Sequence, residues 1–139
     1  MSTATTPKVL RRDPAEVEPW AETCGQIRPL IEEADGAAAE VHHVEIHDAK
    51  LHYHARTDEI YHVIDGEGTA LLDGVQHDLR PGHAVIVPMG VSRAITAGPS
   101  GLRYLSIHRR RGGLQISRLD ASMAVRSAED SAGEEGPLV

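Results

Sequence analysis

The chain has 139 residues, of which 40% are hydrophobic, and its formal net charge is −7 with histidine neutral. This length is sufficient for one domain with a buried core, and the negative charge argues against nucleic acid, whose phosphates are bound by basic surfaces. We expect no signal peptide, because the first 20 residues lack an apolar stretch, and no membrane span, because no apolar run is long enough. Because Cys24 is the only cysteine, we expect no intrachain disulfide and a cytoplasmic location.

The first part of the chain carries few regular patterns. Residues 1–19 mix Thr, Pro, Arg and Glu without periodicity, which predicts a flexible N-terminal arm. The predicted domain covers residues 20–119 and opens at residues 20–31 with an entry strand or short turn. We expect Cys24 to be a small buried residue rather than a nucleophile, because lone cysteines are commonly buried. Residues 32–40 are predicted to form a loop, since their alanine run is short and flanked by glycine.

From residue 41 the pattern changes to alternation of polar and apolar residues. It is present in VHHVEIHDAKLHYH, EIYHVIDGEGTALLDG and HAVIVPMG, and glycine-containing turns separate these runs. Several short strands at this spacing indicate an antiparallel sandwich or barrel. GLRYLSIHRRR supplies the last clear strand, and LQISRL could add one at an edge. Residues 120–139 are small, acidic and aperiodic, which predicts a disordered C-terminal tail.

Two histidines and a glutamate form the most informative stretch of the sequence. His52 and His54 lie one residue apart, so on a strand both side chains point to the same face. Glu59 follows five positions later and can return to that face after a turn. A divalent transition metal accepts this set of ligands, and we therefore predict a metal site rather than a pair of surface histidines.

This stretch resembles the first motif of a known family. Together with Gly66 it reads H-x-H-x4-E-x6-G, which is similar to the first motif of the cupin superfamily. Gly82-x5-Pro88-x-Gly90 resembles the start of the second cupin motif, and the resemblance covers about residues 41–110. It implies an all-β, cupin-type jelly-roll barrel with a metal near the barrel axis, commonly assembled as a homodimer.

The sequence departs from the family pattern at two positions. Ile46 stands where the first motif usually opens with glycine, and Arg93 stands where the second motif usually supplies a histidine ligand. Arginine cannot deprotonate to bind a metal. Arg93 therefore has three alternative roles: a clamp for a substrate carboxylate, a salt bridge to Glu59 in a site that has lost its metal, or a residue at the barrel rim.

The phase of alternation gives expectations for the neighbouring side chains. Tyr61 shares the phase of Glu59 and should point inward, either to move a proton or simply to pack in the core. His62 has the opposite phase and is predicted to be exterior. His77 and His83 fall in turn regions, where we expect solvated or turn-forming side chains.

Four further histidines flank the central stretch. A surface position is the default prediction for His42, His43 and His47, which precede the motif. His47 is the best placed of the three to approach the metal site. His108 ends the last clear strand and could replace the missing ligand from across the barrel. Either His47 or His108 could therefore complete the site.

The leading functional hypothesis is a cupin metalloenzyme that acts on a small anionic metabolite. His52, His54 and Glu59 would bind Fe(II) with open positions for dioxygen and substrate, as in an oxygenase or other oxidoreductase, while Tyr61 and Arg93 would be catalytic. Zn, Mn and Ni are alternative metals. A non-redox isomerase, cyclase or lyase, a ligand-binding cupin without catalysis, and a metal-free degenerate barrel are the other possibilities.

Overall fold

The computed structural model describes residues 8–110 and 134–135, which form an almost entirely β structure. One short 3-10 helix, Pro14–Glu16, precedes the first strand, and a second, Glu33–Asp35, lies between the second and third strands. The strands of the described residues are β1 (Trp20–Glu22), β2 (Gly25–Ile31), β3 (Glu40–Ile46), β4 (Asp48–Tyr53), β5 (Thr57–Leu72), β6 (Val75–Leu79), β7 (Ala84–Val87), β8 (Arg93–Arg110) and β9 (Glu134–Glu135). None of the helical segments in the described part is long and apolar enough to cross a lipid bilayer.

Two long strands, β5 and β8, organise the barrel. They pair with each other in antiparallel fashion along most of their lengths. The C-terminal part of β8 also pairs with β3, and its N-terminal part pairs with β4, whereas β5 adds β6 and β7 on its other side. The predicted all-β, cupin-type barrel is thereby confirmed, with antiparallel pairing except between β4 and β9.

The backbone geometry at position 66 explains why the first motif has glycine there. The pairing of β5 with β8 shifts register on both sides of Gly66, where β5 bends from one part of β8 to the other. Gly66 has a φ of 81°, and a Cβ there would lie 2.1 Å from the carbonyl oxygen of Gly101. Only glycine combines this backbone conformation with so close an approach of a second strand.

The first two strands extend the sheet at its edge, because β2 pairs with β3 in antiparallel fashion. Residues 20–31, predicted as one strand or turn, form the β1–β2 hairpin, and Cys24 is buried there as predicted. The predicted loop 32–40 contains the second 3-10 helix. Within the predicted flexible arm, the Arg12 guanidinium donates hydrogen bonds of 2.7 Å to the Leu30 carbonyl and to the Asp35 carboxylate.

The C-terminal predictions fall mostly outside the described residues. The predicted edge strand LQISRL lies wholly outside them, as does the predicted tail apart from Glu134–Glu135. Those two residues pair in parallel with His52 and Tyr53 of β4. A short piece of the chain end therefore borders the strand that carries the first motif histidine.

Candidate metal centre and its buried polar neighbours

Polar side chains are buried at one end of the strip formed by β3, β8 and β5. Neighbouring residues on these strands lie in rows, because directly opposed residues of antiparallel strands share a face of the sheet. In the order β3–β8–β5, the rows are Glu40–His108–Glu59, His42–Ser106–Tyr61, Val44–Tyr104–Val63 and Ile46–Leu102–Gly66. Two polar rows are thus followed by rows that belong mainly to the apolar core.

Glu59 is the centre of the first polar group. Its side chain is fully buried. Oε1 accepts a hydrogen bond of 2.9 Å from the Tyr61 hydroxyl and a salt bridge from the Arg93 guanidinium, while Oε2 accepts a hydrogen bond of 2.7 Å from Ser106 Oγ. His54 Nε2 lies 3.3 Å from Oε1. The prediction that Tyr61 points inward beside Glu59 is therefore confirmed.

Arg93 is fully buried, and its charge is used inside the protein. It begins β8 directly opposite His52 of β4, and its Nη1 donates to the Glu59 carboxylate. Nη2 donates to the Val91 carbonyl at 3.1 Å. Of the three alternatives, the geometry favours the internal salt bridge. The rim position is wrong because the side chain has no exposed surface.

The protonation states of Glu59 and His54 follow from their burial and from the salt bridge between Glu59 and Arg93. Burial opposes ionisation of Glu59 most strongly, but the charges of His54, when it is protonated, and of Arg93 outweigh it, so the pKa of Glu59 lies below its ordinary value. Burial also lowers the pKa of His54 to about 3. The His54 imidazole is therefore neutral near pH 7, and Arg93 is the permanent cation that keeps Glu59 ionised.

The two motif histidines are held at the end of β4. His52 Nδ1 lies 2.6 Å from the carbonyl oxygen of Lys50, which can only accept, so Nδ1 carries the proton and Nε2 is the basic nitrogen. The His52 and His54 rings pack edge to face with centroids 5.0 Å apart. The Gly90 amide donates to the His54 carbonyl at 2.8 Å, which ties the first motif segment to the second.

A divalent metal fits these residues chemically. The neutral His54 imidazole is in the form that binds metals. The hydrogen bond from His52 Nδ1 to a carbonyl is the usual support of a ligating histidine. The 3.3 Å between His54 Nε2 and Glu59 Oε1 is close to the separation of roughly 3 Å expected for two ligands of one ion. However, Arg93 shares the same oxygen and is positively charged. We expect this charge to weaken metal binding by His52, His54 and Glu59.

A second group of possible metal ligands lies beside the first. The ligand atoms of Glu40, His42 and His108 all lie within 4.8 Å of one another. Sequence reasoning missed Glu40, which was assigned to a loop, and placed His42 at the surface. A usable signal was present, because His42 shares the alternation phase of Val44 and Ile46, which are core residues of the same strand.

The remaining histidines differ in burial and in their distance from the site. His47 lies beyond the end of β3 and is exposed, which agrees with the default surface prediction, so the alternative that it completes the metal site is not supported. His108 is buried and connected to Glu59 through Ser106, whose Oγ lies 3.3 Å from His108 Nδ1. His62, His77 and His83 are exposed, as predicted, but His77 lies within β6 and not in a turn.

Comparisons with known proteins agree with this architecture. The family model for the cupin domain matches residues 40–108, which include both polar groups. Dimethylsulfoniopropionate lyase DddW from Ruegeria pomeroyi is 36% identical over 58 residues, which are 42% of this chain and only 38% of that protein. The polyketide cyclase RemF from Streptomyces resistomycificus is 21% identical, with a TM-score of 0.64 over 91% of this chain and 100% of that one. A protein from Planctomyces limnophilus is 25% identical, with a TM-score of 0.67 over 80% of this chain and 95% of that one.

Proposed function

The chain is a small cupin-domain protein, and from this premise we propose that it is a metal-dependent enzyme acting on a small anionic metabolite. The observation that carries the proposal is the 3.3 Å contact between His54 Nε2 and the ionised Glu59 carboxylate, beside a His52 ring oriented by a backbone carbonyl. His52, His54 and Glu59 would hold the ion. The expectation of a homodimer is part of the same proposal, and a mass measurement by light scattering tests it.

A non-redox reaction such as that of a lyase, isomerase or cyclase is the best supported class. When bound, a divalent ion would act as a Lewis acid on a carbonyl or carboxylate oxygen of the substrate. Burial and the neighbouring Glu59 charge raise the pKa of Tyr61 well above its ordinary value, so its phenol is protonated and donates to Glu59. Tyr61 is therefore suited to hold or give a proton rather than to remove one.

The similarity to DddW supports this class. That protein is named as a lyase whose substrate carries a propionate group, and the matched stretch is 36% identical. A small carboxylate would also agree with the expected anionic substrate. Arg93 is directed at Glu59, so we propose that its role in the reaction is to position that carboxylate rather than to clamp the substrate.

An Fe(II)-dependent oxygenase is the second candidate. Two histidines and one carboxylate leave several positions open on a metal ion, and non-haem Fe(II) enzymes use such positions for dioxygen and substrate. The replacement of the fourth protein ligand by Arg93 favours this alternative, because arginine cannot occupy a coordination position. Uptake of dioxygen in the presence of a substrate separates the two candidates.

The test is reconstitution of the full chain. Protein freed of metal with a chelator is loaded separately with Fe(II), Mn(II), Ni(II) or Zn(II) and incubated with a panel of small carboxylates. Products are followed by NMR and dioxygen by an electrode. We expect metal-dependent turnover without dioxygen consumption, and consumption coupled to turnover would favour the oxygenase.

A matched pair of double variants locates the activity. His52→Ala/His54→Ala removes two imidazoles from the proposed site, whereas His62→Ala/His77→Ala removes two exposed ones. We expect the first variant to lose turnover by at least about 100-fold, because metal binding needs both rings, and the second to retain it. Unchanged turnover in His52→Ala/His54→Ala would contradict the proposed enzyme.

A further inference from the structure

Glu40 and His42 of β3, together with His108 of β8, form a compact donor group outside the two cupin motifs. We infer that this group is a second site for a divalent first-row transition metal, separate from the set of His52, His54 and Glu59. Two imidazoles and one carboxylate suit Zn²⁺, Co²⁺ and Fe²⁺, and they leave further positions open on the ion. The inference is independent of the reaction proposed above.

The donor atoms already lie together. Glu40 Oε1 is 3.2 Å from His42 Nε2 and 3.7 Å from His108 Nε2. The two imidazole rings pack edge to face, with centroids 4.5 Å apart. Their side chains are 1% and 0% exposed, respectively, while that of Glu40 is 19% exposed. Burial therefore holds both rings in place, and the carboxylate provides a route for an ion from solvent.

Ser106 sets the tautomer of His108 in the direction that metal binding requires. The Ser106 hydroxyl donates to the ionised Glu59 carboxylate at 2.7 Å, so its oxygen is left to accept from His108 Nδ1 at 3.3 Å. With the proton on Nδ1, the lone pair of His108 is on Nε2, the atom nearest Glu40. A hydrogen bond from the distal nitrogen is the arrangement that orients metal-binding histidines.

Two nitrogens of the group have no hydrogen bond to satisfy them. His108 Nε2 and His42 Nδ1 are both buried and lack a hydrogen-bond partner among the described residues. Buried polar atoms in proteins nearly always have a partner, and those that lack one often point to an ion or water that completes the site. A metal ion bound by His108 Nε2 would supply the missing partner of that nitrogen.

The electrostatics of this group also favour a cation. Among the described residues, Glu40 forms ion-pair contacts with His42 and His108 and with no lysine or arginine. An incoming cation would meet an anion that no arginine neutralises, in contrast to the situation at Glu59.

Trp20 provides a built-in reporter of this site. It is the only tryptophan in the chain, and its ring packs edge to face on His42 with centroids 5.3 Å apart. A paramagnetic ion such as Co²⁺ bound by His42 should therefore quench tryptophan fluorescence. Because Trp20 packs directly on His42, quenching that depends on Glu40 identifies the second site.

The experiment titrates Co²⁺ into the metal-free full-length protein and follows tryptophan fluorescence and visible absorption. Glu40→Gln removes the charged ligand with little change of shape, and we expect it to weaken the quenching titration by at least 10-fold. His43→Ala is the matched control, because it removes the neighbouring histidine of β3 that is not part of the group. His52→Ala/His54→Ala should leave the quenching titration unchanged.

The possible outcomes separate the two metal sites. Quenching that is weakened in Glu40→Gln and retained in His43→Ala and His52→Ala/His54→Ala supports the second site. Absence of quenching in the unaltered protein, equal quenching in Glu40→Gln, or its loss in His52→Ala/His54→Ala would overturn it. Near-ultraviolet circular dichroism checks that each variant is folded. Turnover is tested separately with His52→Ala/His54→Ala, so the second site and the proposed function can fail independently of each other.

Discussion

Two carboxylates flank His108 in the same row of the sheet, yet the protein treats them differently. Glu59 is fully buried, and its charge is balanced by the salt bridge with Arg93. Glu40 is partly exposed, and its contacts are with imidazoles. A carboxylate sealed in the interior must be neutralised by the fold itself, whereas one at the edge can leave that role to an ion. The contrast suggests that Glu59 supports structure more than Glu40 does.

The largest expected effect comes from removing the cation of the Glu59 group. Arg93→Met would leave the Glu59 charge buried without its salt bridge, and we expect a loss of about 3–5 kcal/mol in the free energy of unfolding. Urea denaturation measures this loss. The double variant Arg93→Met/Glu59→Gln removes both charges and should recover a substantial part of it. If Arg93→Met alone is as stable as the unaltered protein, the salt bridge does not neutralise Glu59 in solution.

Low pH should lower the free energy of unfolding through the same buried group. Burial lowers the folded-state pKa of His54 from 6.5 to about 3, so between these values the unfolded chain binds a proton that the folded protein does not. The free energy of unfolding of the metal-free protein should therefore fall as the pH drops below 6.5, approaching a slope of about 1.4 kcal/mol per pH unit from His54. Below about pH 4.5 the depressed pKa of Glu59 adds to the loss in the same direction.

Variants of two histidines separate the contribution of His54 to this pH dependence from the contributions of other titrating groups. His54→Gln should make the dependence between pH 6.5 and pH 4.5 less steep, because the contribution of His54 to the slope is gone. His62→Gln replaces an exposed histidine and should leave the slope unchanged. Equal slopes in the two variants would show that His54 is not the group responsible.

A smaller effect is expected from the residue that links the two carboxylate groups. Ser106→Ala removes the hydrogen bond to Glu59 and the contact with His108, and we expect a loss of about 1–3 kcal/mol in the free energy of unfolding. Ser100→Ala alters an exposed serine of the same strand and serves as the control. Nitrogen NMR of His108 should also show a mixture of tautomers in Ser106→Ala. An unchanged Nδ1–H tautomer would contradict the orienting role of Ser106.

The features that could be predicted from the sequence are those set by local patterns of residues. Alternation with a period of two residues placed Tyr61 inside and His62 outside, and the spacing of His52, His54 and Glu59 resembled a cupin motif. The default surface prediction for His47 was right, because this residue lies beyond the end of β3, a limit that the phase argument alone does not reveal. Glu40 and His42 were missed because their partner His108 is distant in sequence, and only the pairing of β3 with β8 brings them together.

By itself, the amino-acid sequence determined the class of fold, the inward face of the first motif and the absence of a fourth histidine ligand at position 93. It left the role of Arg93 open among three alternatives. The tertiary structure decided in favour of the salt bridge with Glu59, because β8 places Arg93 at the interior end of the strand, opposite β4 and within reach of β5. Alternation is a property of each strand, whereas charge pairing depends on the register between strands that are far apart in the chain.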